Sequence, residues 1–174
     1  MSRSSEIRAA SLAQVLDTSP GPGYPCFMSD GVVHGQATED LLPREETTAT
    51  GLAAGRVDVW TALLDRPDVP YAGLQAPLSR EERARAERFV FEKDRRRFVV
   101  CRGLLRDLLA RYLGADPSGL AFNYGPKGKP FLAAPFDREG LRFNLAHSDD
   151  LAVFAFSRGA AVGVDVELGR DIPD

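Results

Sequence analysis

The chain has 174 residues, 44% of them hydrophobic, and a net charge of −3. That is enough apolar side chain for one core, and it offers no bulk attraction to nucleic acid or to an anionic membrane. No apolar run approaches the roughly 18 residues of a membrane span, the N-terminus lacks the apolar stretch of a signal peptide, and two cysteines make neither a disulfide framework nor a zinc site, so a reducing cytoplasm fits.

Residues 1–55 read as a disordered leader. Ala9–Leu16 allows one or two helical turns, but Pro20, Gly21, Pro22, Gly23 and Pro25 follow, and Cys26 falls in that loop. Apolar residues there recur with no period, so they define no face to bury. Order is expected from Val57. Val57, Val59, Thr61 and Leu63 alternate with Asp58, Trp60, Ala62 and Leu64, a strand pattern that turns Trp60 away from the valines. Trp60 serves either as a core anchor or as a lobe contact, and its size favours the core. A proline-rich connection, Pro67 to Pro77, comes next.

Ser79 followed three residues later by Glu82 is a capping box, and it predicts a helix running to about Phe89–Phe91. A second helix is predicted over Lys93–Leu113. Phe98, Cys101, Leu104, Leu105, Leu108, Leu109 and Tyr112 recur at three- and four-residue steps, and Gly114 supplies the stop. Between Arg80 and Arg106 stand ten basic and five acidic residues, leaving +5 locally. Much of that charge reads as a solvated face laced with i,i+4 pairs. Arg95-Arg96-Arg97 has fewer evident partners, and arginine forks suit phosphate. Nucleic acid competes for such a patch, but stacking aromatics are missing.

Beyond the helix the period changes to two. Leu120–Tyr124 and Pro130–Ala133 flank the turn Gly125-Pro126-Lys127-Gly128-Lys129-Pro130 as a hairpin. Leu141–Leu145, Leu151–Ser157 and Ala161–Leu168 are further strands, the last two joined at Arg158-Gly159. The links are short, which favours antiparallel pairing. The expected class is α+β, a long helix packed on a small antiparallel sheet.

The lysine turn is not a P-loop, since the Walker spacing and the following helix are absent. It is either a plain turn or a turn whose lysines meet phosphate. His147 closes the strand Phe143-Asn144-Leu145-Ala146-His147-Ser148; it could donate to a phosphate or bond a loop carbonyl. Without a G-x-S-x-G elbow, a Ser–His hydrolase is rejected. In Gly163-Val164-Asp165-Val166-Glu167 the two acids share one face of an extended segment. They are either half a site for a hard cation such as Mg²⁺ or the wet face of a strand.

Taken in order, these motifs resemble the first lobe of a surfactin-type 4′-phosphopantetheinyl transferase. The resemblance rests on Glu92-Lys93-Asp94-Arg95-Arg96-Arg97-Phe98, Arg102-Gly103-Leu104-Leu105-Arg106, Tyr112-Leu113-Gly114, the turn from Tyr124 to Pro130, Phe143 to Ser148, and Gly163 to Glu167. It covers roughly residues 57–170 and leaves the leader out. It implies one lobe (56–174) of a two-lobed fold, and transfer of 4′-phosphopantetheine from coenzyme A to a serine of an acyl or peptidyl carrier protein. By similarity, Asp165 and Glu167 would hold Mg²⁺ against the pyrophosphate. Arg97 and His147 would contact the 3′-phosphate or its surroundings, and Lys129 with Pro130 would line the nucleotide pocket. The carrier serine is the nucleophile, so no catalytic residue is assigned in this lobe.

Two departures accompany the resemblance. Ala146 stands where the family often has serine. The family's second lobe, with its Trp-x-x-Lys-Glu-type helix, a further acidic ligand and a base, is not found before Asp174. The expectation is therefore a fragment, a shortened form or a degenerate copy, inactive alone; the alternative is a non-catalytic lobe that binds coenzyme A or a partner protein. No nucleic-acid or membrane partner is expected.

Overall fold

A computed structural model describes residues 52–53 and 55–167. Most of the leader read over 1–55, with Cys26, and the chain beyond Glu167 lie outside the described residues; Leu52, which that reading included, is buried in the core. The predicted class is correct: the fold is α+β, a long helix on a small antiparallel sheet, with a second two-stranded sheet alongside.

Three strands form the main sheet: β1 (Val57–Leu63), β4 (Leu141–Ser148) and β5 (Leu151–Arg158), in the order β1-β5-β4 and all antiparallel. Trp60 pairs with Phe154 and Leu145 with Phe154 from the other side, so these residues share a face. That face packs on α3 (Glu92–Leu113) through Val100, Cys101, Leu105, Leu108, Leu109 and Tyr112. Trp60 packs against this core as expected, and its indole N–H donates to the Tyr112 hydroxyl at 2.9 Å. Phe154, Phe156, Leu105 and Leu109 are 0–1% exposed, and full burial of each contributes on the order of 1.5–3 kcal/mol. Gly114 takes the left-handed conformation (φ 61°) that ends α3.

Two helix expectations need correction. α2 runs only from Arg80 to Ala86, ending before Phe89, although its Ser79–Glu82 capping box forms in both directions (3.2 and 2.9 Å). A helix, α1 (Tyr71–Gln75), occupies the stretch read as a proline-rich connection. Five residues are too few to be helical alone. α1 is held by docking on α3, where a β-carbon on Gly103 would lie 2.4 Å from the Leu74 carbonyl oxygen. Gly103→Ala is therefore expected to destabilise the protein by about 1–3 kcal/mol, as overpacking does, measured by urea unfolding.

The hairpin forms as expected from β2 (Phe122–Tyr124) and β3 (Pro130–Leu132). The strand predicted over 161–168 does not form in its described part, residues 161–167. Its alternation survives all the same. Val162, Val164 and Val166 are buried against Val57, Val59, Leu63, Leu151, Val153 and Ala155, on the sheet face away from α3. Apolar burial places this segment, and no backbone ladder extends it.

Candidate functional site

A cleft of about 740 Å³ opens between the first half of α3, the β2–β3 hairpin and the end of β4. That size suits a nucleotide-sized ligand. Arg97, Lys129, Pro130 and His147, singled out on widely separated stretches of chain, all line it, together with Arg85, Arg102, Lys127 and Asp149. His147 pairs with Ala152 across the sheet and so projects to the α3 side. The hairpin turn is closed by Gly125 N–H to Lys129 O (2.9 Å) and Gly128 N–H to Gly125 O (2.8 Å), with Gly128 at φ 74°, where a side chain is disfavoured. The Lys129 ammonium donates to Val162 O at 3.0 Å. It thereby ties the cleft wall to the segment that carries the acid pair.

Asp165 and Glu167 are exposed and share a face, while Val164 and Val166 between and beside them are buried. Asp165 accepts from the Val166 N–H at 2.9 Å. Neither acid lines the cleft. Among the described residues, no group of three or more His, Cys, Asp or Glu side chains converges on a point. Two adjacent carboxylates fit a hard cation that keeps several waters and takes its other oxygens from substrate phosphates.

The basic stretch is paired more thoroughly than its sequence suggested. The Arg95-Arg96-Arg97 run reads as having fewer evident partners, yet each arginine has at least one. Arg95 pairs with Glu92. Arg96 donates to Arg66 O at 3.2 Å and lies over the Tyr71 ring. Arg97 spans Asp65 (Nε to Oδ1 2.9 Å, Nη2 to Oδ2 2.5 Å) and Asp149 (Nη1 to Oδ1 2.5 Å). The hydrogen bond from Arg97 holds the Asp65 carboxyl below the usual aspartate range. The Arg97 pairings join α3 to the residues after β1 and to the β4–β5 turn, contacts that no local spacing encodes.

Sequence reading also missed a buried triad beneath the cleft. Glu82 Oε1 accepts from Arg102 Nε (3.0 Å) and Nη2 (2.7 Å), and Oε2 from Arg106 Nε (2.7 Å). Arg106 also donates to Pro117 O and Leu120 O (2.8 and 2.9 Å), and Arg102 to the Tyr124 hydroxyl (3.0 Å). Both guanidiniums stack over the Phe122 ring, 5.0 and 5.1 Å from its centre. Burial pushes the Glu82 pKa up, but the Ser79 N–H and the two arginines outweigh it and the carboxyl is held below its ordinary value. The usable signal was the i,i+4 spacing of Arg102 and Arg106 on the buried side of α3. Cys101 also faces the cleft, but burial pushes its thiol up to about 12, so it is no thiolate nucleophile at neutral pH.

Comparison with known proteins adds a family match and several relatives. A family model described as "4′-phosphopantetheinyl transferase, N-terminal" matches residues 68–158. The chain is 42% identical over 123 residues to the 4′-phosphopantetheinyl transferase HetI of Nostoc sp., a match that covers 71% of this chain and 52% of that protein. It is 40% identical over 99 residues to a phosphopantetheinyl transferase of Thraustochytrium sp. (57% of this chain, 34% of the other). With a 4′-phosphopantetheinyl transferase of Bacillus subtilis it shares 32% identity over 94 residues (54% and 40%). The chain spans about half the length of the first of these relatives and less of the others.

Proposed function

The chain belongs to the 4′-phosphopantetheinyl transferase family, and from that premise we propose that it supplies the coenzyme A-binding half of an enzyme that transfers 4′-phosphopantetheine to a serine of an acyl or peptidyl carrier protein. The observation that carries this reading is the convergence of Arg97, Lys129, Pro130 and His147 on one cleft of suitable size. Lys127 and Lys129 place positive charge where a nucleotide's phosphates would lie, and the Gly-rich turn lets backbone approach closely. His147 lines the same cleft from the end of β4, where its ring could donate to a phosphate. Lys129 further couples the cleft wall to the acid-bearing segment through Val162.

Asp165 and Glu167 are the residues proposed to hold Mg²⁺ beside the pyrophosphate. Bound there, the ion would neutralise charge on the phosphoryl oxygens. In the reaction, the carrier serine oxygen forms a bond to the phosphorus bearing pantetheine, the bond to the leaving 3′,5′-ADP breaks, and the serine proton passes to a base. Such transfer depends mainly on positioning and charge neutralisation. Two carboxylates leave the rest of the ion's coordination to water, to substrate phosphates and to ligands outside the described residues. The proposed setting is the cytoplasm. No helix among the described residues is long and apolar enough to cross a membrane.

The test joins binding to transfer. Calorimetric titration of coenzyme A is expected to saturate the chain, and Lys129→Ala should weaken binding about tenfold, the worth of one charge-assisted contact. Incubation of a form extended to the full length of its relatives with coenzyme A, Mg²⁺ and an apo carrier protein should add one phosphopantetheine to the carrier by mass spectrometry. Binding without transfer in the extended form would instead mark a non-catalytic coenzyme A-binding lobe.

A further inference from the structure

Arg97 lines the cleft, and the obvious role for an arginine there is to grip a phosphate. Its surroundings argue otherwise. Its side chain is only 13% exposed, and its Nε, Nη1 and Nη2 all donate to carboxylates, two bonds within 2.5 Å. Lys93 stands 3.8 Å from Asp65 and 4.0 Å from Asp149, so two cations and two anions cancel at this end of the cleft. A phosphate entering here would meet two fixed carboxylates before reaching the guanidinium. Outside this cluster the cleft is lined by further cations, Lys127 and Lys129 on the hairpin and Arg85 of α2, for which no ion pair is seen among the described residues.

What Arg97 does hold is the turn beside His147. Asp149 sits in the β4–β5 turn, two residues past His147, in the left-handed region at φ 53°. A non-glycine residue there costs energy and keeps its place only when its surroundings fix it. The same turn is secured from just after β1, since Leu64 N–H donates to Asp150 O at 2.7 Å and Asp65, the next residue, is the second carboxylate on Arg97. One planar guanidinium thus locks the residues after β1 and the turn after β4 onto α3. A lysine ammonium cannot reproduce that two-sided fork.

We infer that Arg97, with Asp65 and Asp149, is a positioning residue that sets the direction of His147 in the cleft, and that it is not itself a phosphate ligand. The inference rests on the proposed coenzyme A reading for what His147 contacts, and on geometry alone for the lock. It makes the Asp149 carboxylate favourable to binding of an anionic ligand, the reverse of what simple charge repulsion gives.

Coenzyme A titrations of Arg97→Lys and Asp149→Asn decide the matter. Both should weaken binding by about tenfold or more, the usual cost of losing an outer partner of a ligand-contacting group. In a His147→Gln background, Arg97→Lys should cost nothing further, because its effect passes through that ring. Tighter binding in Asp149→Asn, retained binding in Arg97→Lys, or losses that simply add with His147→Gln would overturn the inference and make Arg97 a direct ligand. Amide hydrogen exchange supplies a readout independent of coenzyme A. Arg97→Lys should speed exchange at the Leu64 amide and leave that of Leu105 in α3 unchanged. If the unsubstituted chain binds no coenzyme A, the functional reading fails, and the lock stands or falls on the Leu64 exchange alone.

Discussion

Glu82→Ala is expected to lower the unfolding free energy by about 3–5 kcal/mol, the cost of removing one partner from a buried ion pair. Glu82 is 4% exposed and lies between Arg102 (7%) and Arg106 (1%). Taking its carboxylate away leaves two buried cations. Arg106 keeps the Pro117 and Leu120 carbonyls; Arg102 keeps, among the described residues, the Tyr124 hydroxyl and the Phe122 ring. The capping box at the start of α2 goes with it, because Glu82 Oε2 also accepts from the Ser79 N–H. Urea unfolding at neutral pH measures the loss. Because the folded-state pKa of Glu82 is depressed below the ordinary 4.5, its stabilisation is full above that value and fades as pH falls through the lower folded pKa. Glu82→Gln should therefore differ most from the unsubstituted chain at neutral pH and converge with it in acid. A loss no larger than that of a surface substitution would mean the triad does not hold α2 to α3.

Asp165→Ala should reduce carrier-protein loading by about 10²-fold or more, the effect expected for a lost metal-associated carboxylate. The experiment belongs in a form of the protein shown to transfer phosphopantetheine. Stability should change little, since Asp165 is exposed and the hydrogen bond it accepts among the described residues, from the Val166 N–H, is local. Binding of coenzyme A without Mg²⁺ should also be retained, because Asp165 does not line the cleft. The combination of normal stability, normal metal-free binding and lost transfer separates a ligand from a structural acid. Unchanged loading would return Asp165 and Glu167 to the plain reading, the wet face of a segment held by its valines.

The sequence determined by itself whatever repeats along the chain. The apolar steps from Phe98 to Tyr112 give α3 with its Gly114 stop, the alternation from Val57 gives β1, and the glycines and lysines between Tyr124 and Pro130 give a closed hairpin. The order of motifs also named Arg97, Lys129, Pro130 and His147, which line one cleft, and Asp165 and Glu167, which do not. Tertiary structure decided everything that depends on segments distant in sequence. α1 exists because Gly103 lets the Leu74 backbone approach, and Val162, Val164 and Val166 bury against the sheet without joining its ladder. Arg97 finds Asp65 thirty-two residues upstream and Asp149 fifty-two downstream. Local periodicity reports which face of an element will be buried. It cannot report which charge meets which, because ion pairing depends on distances in space that only the packed core sets.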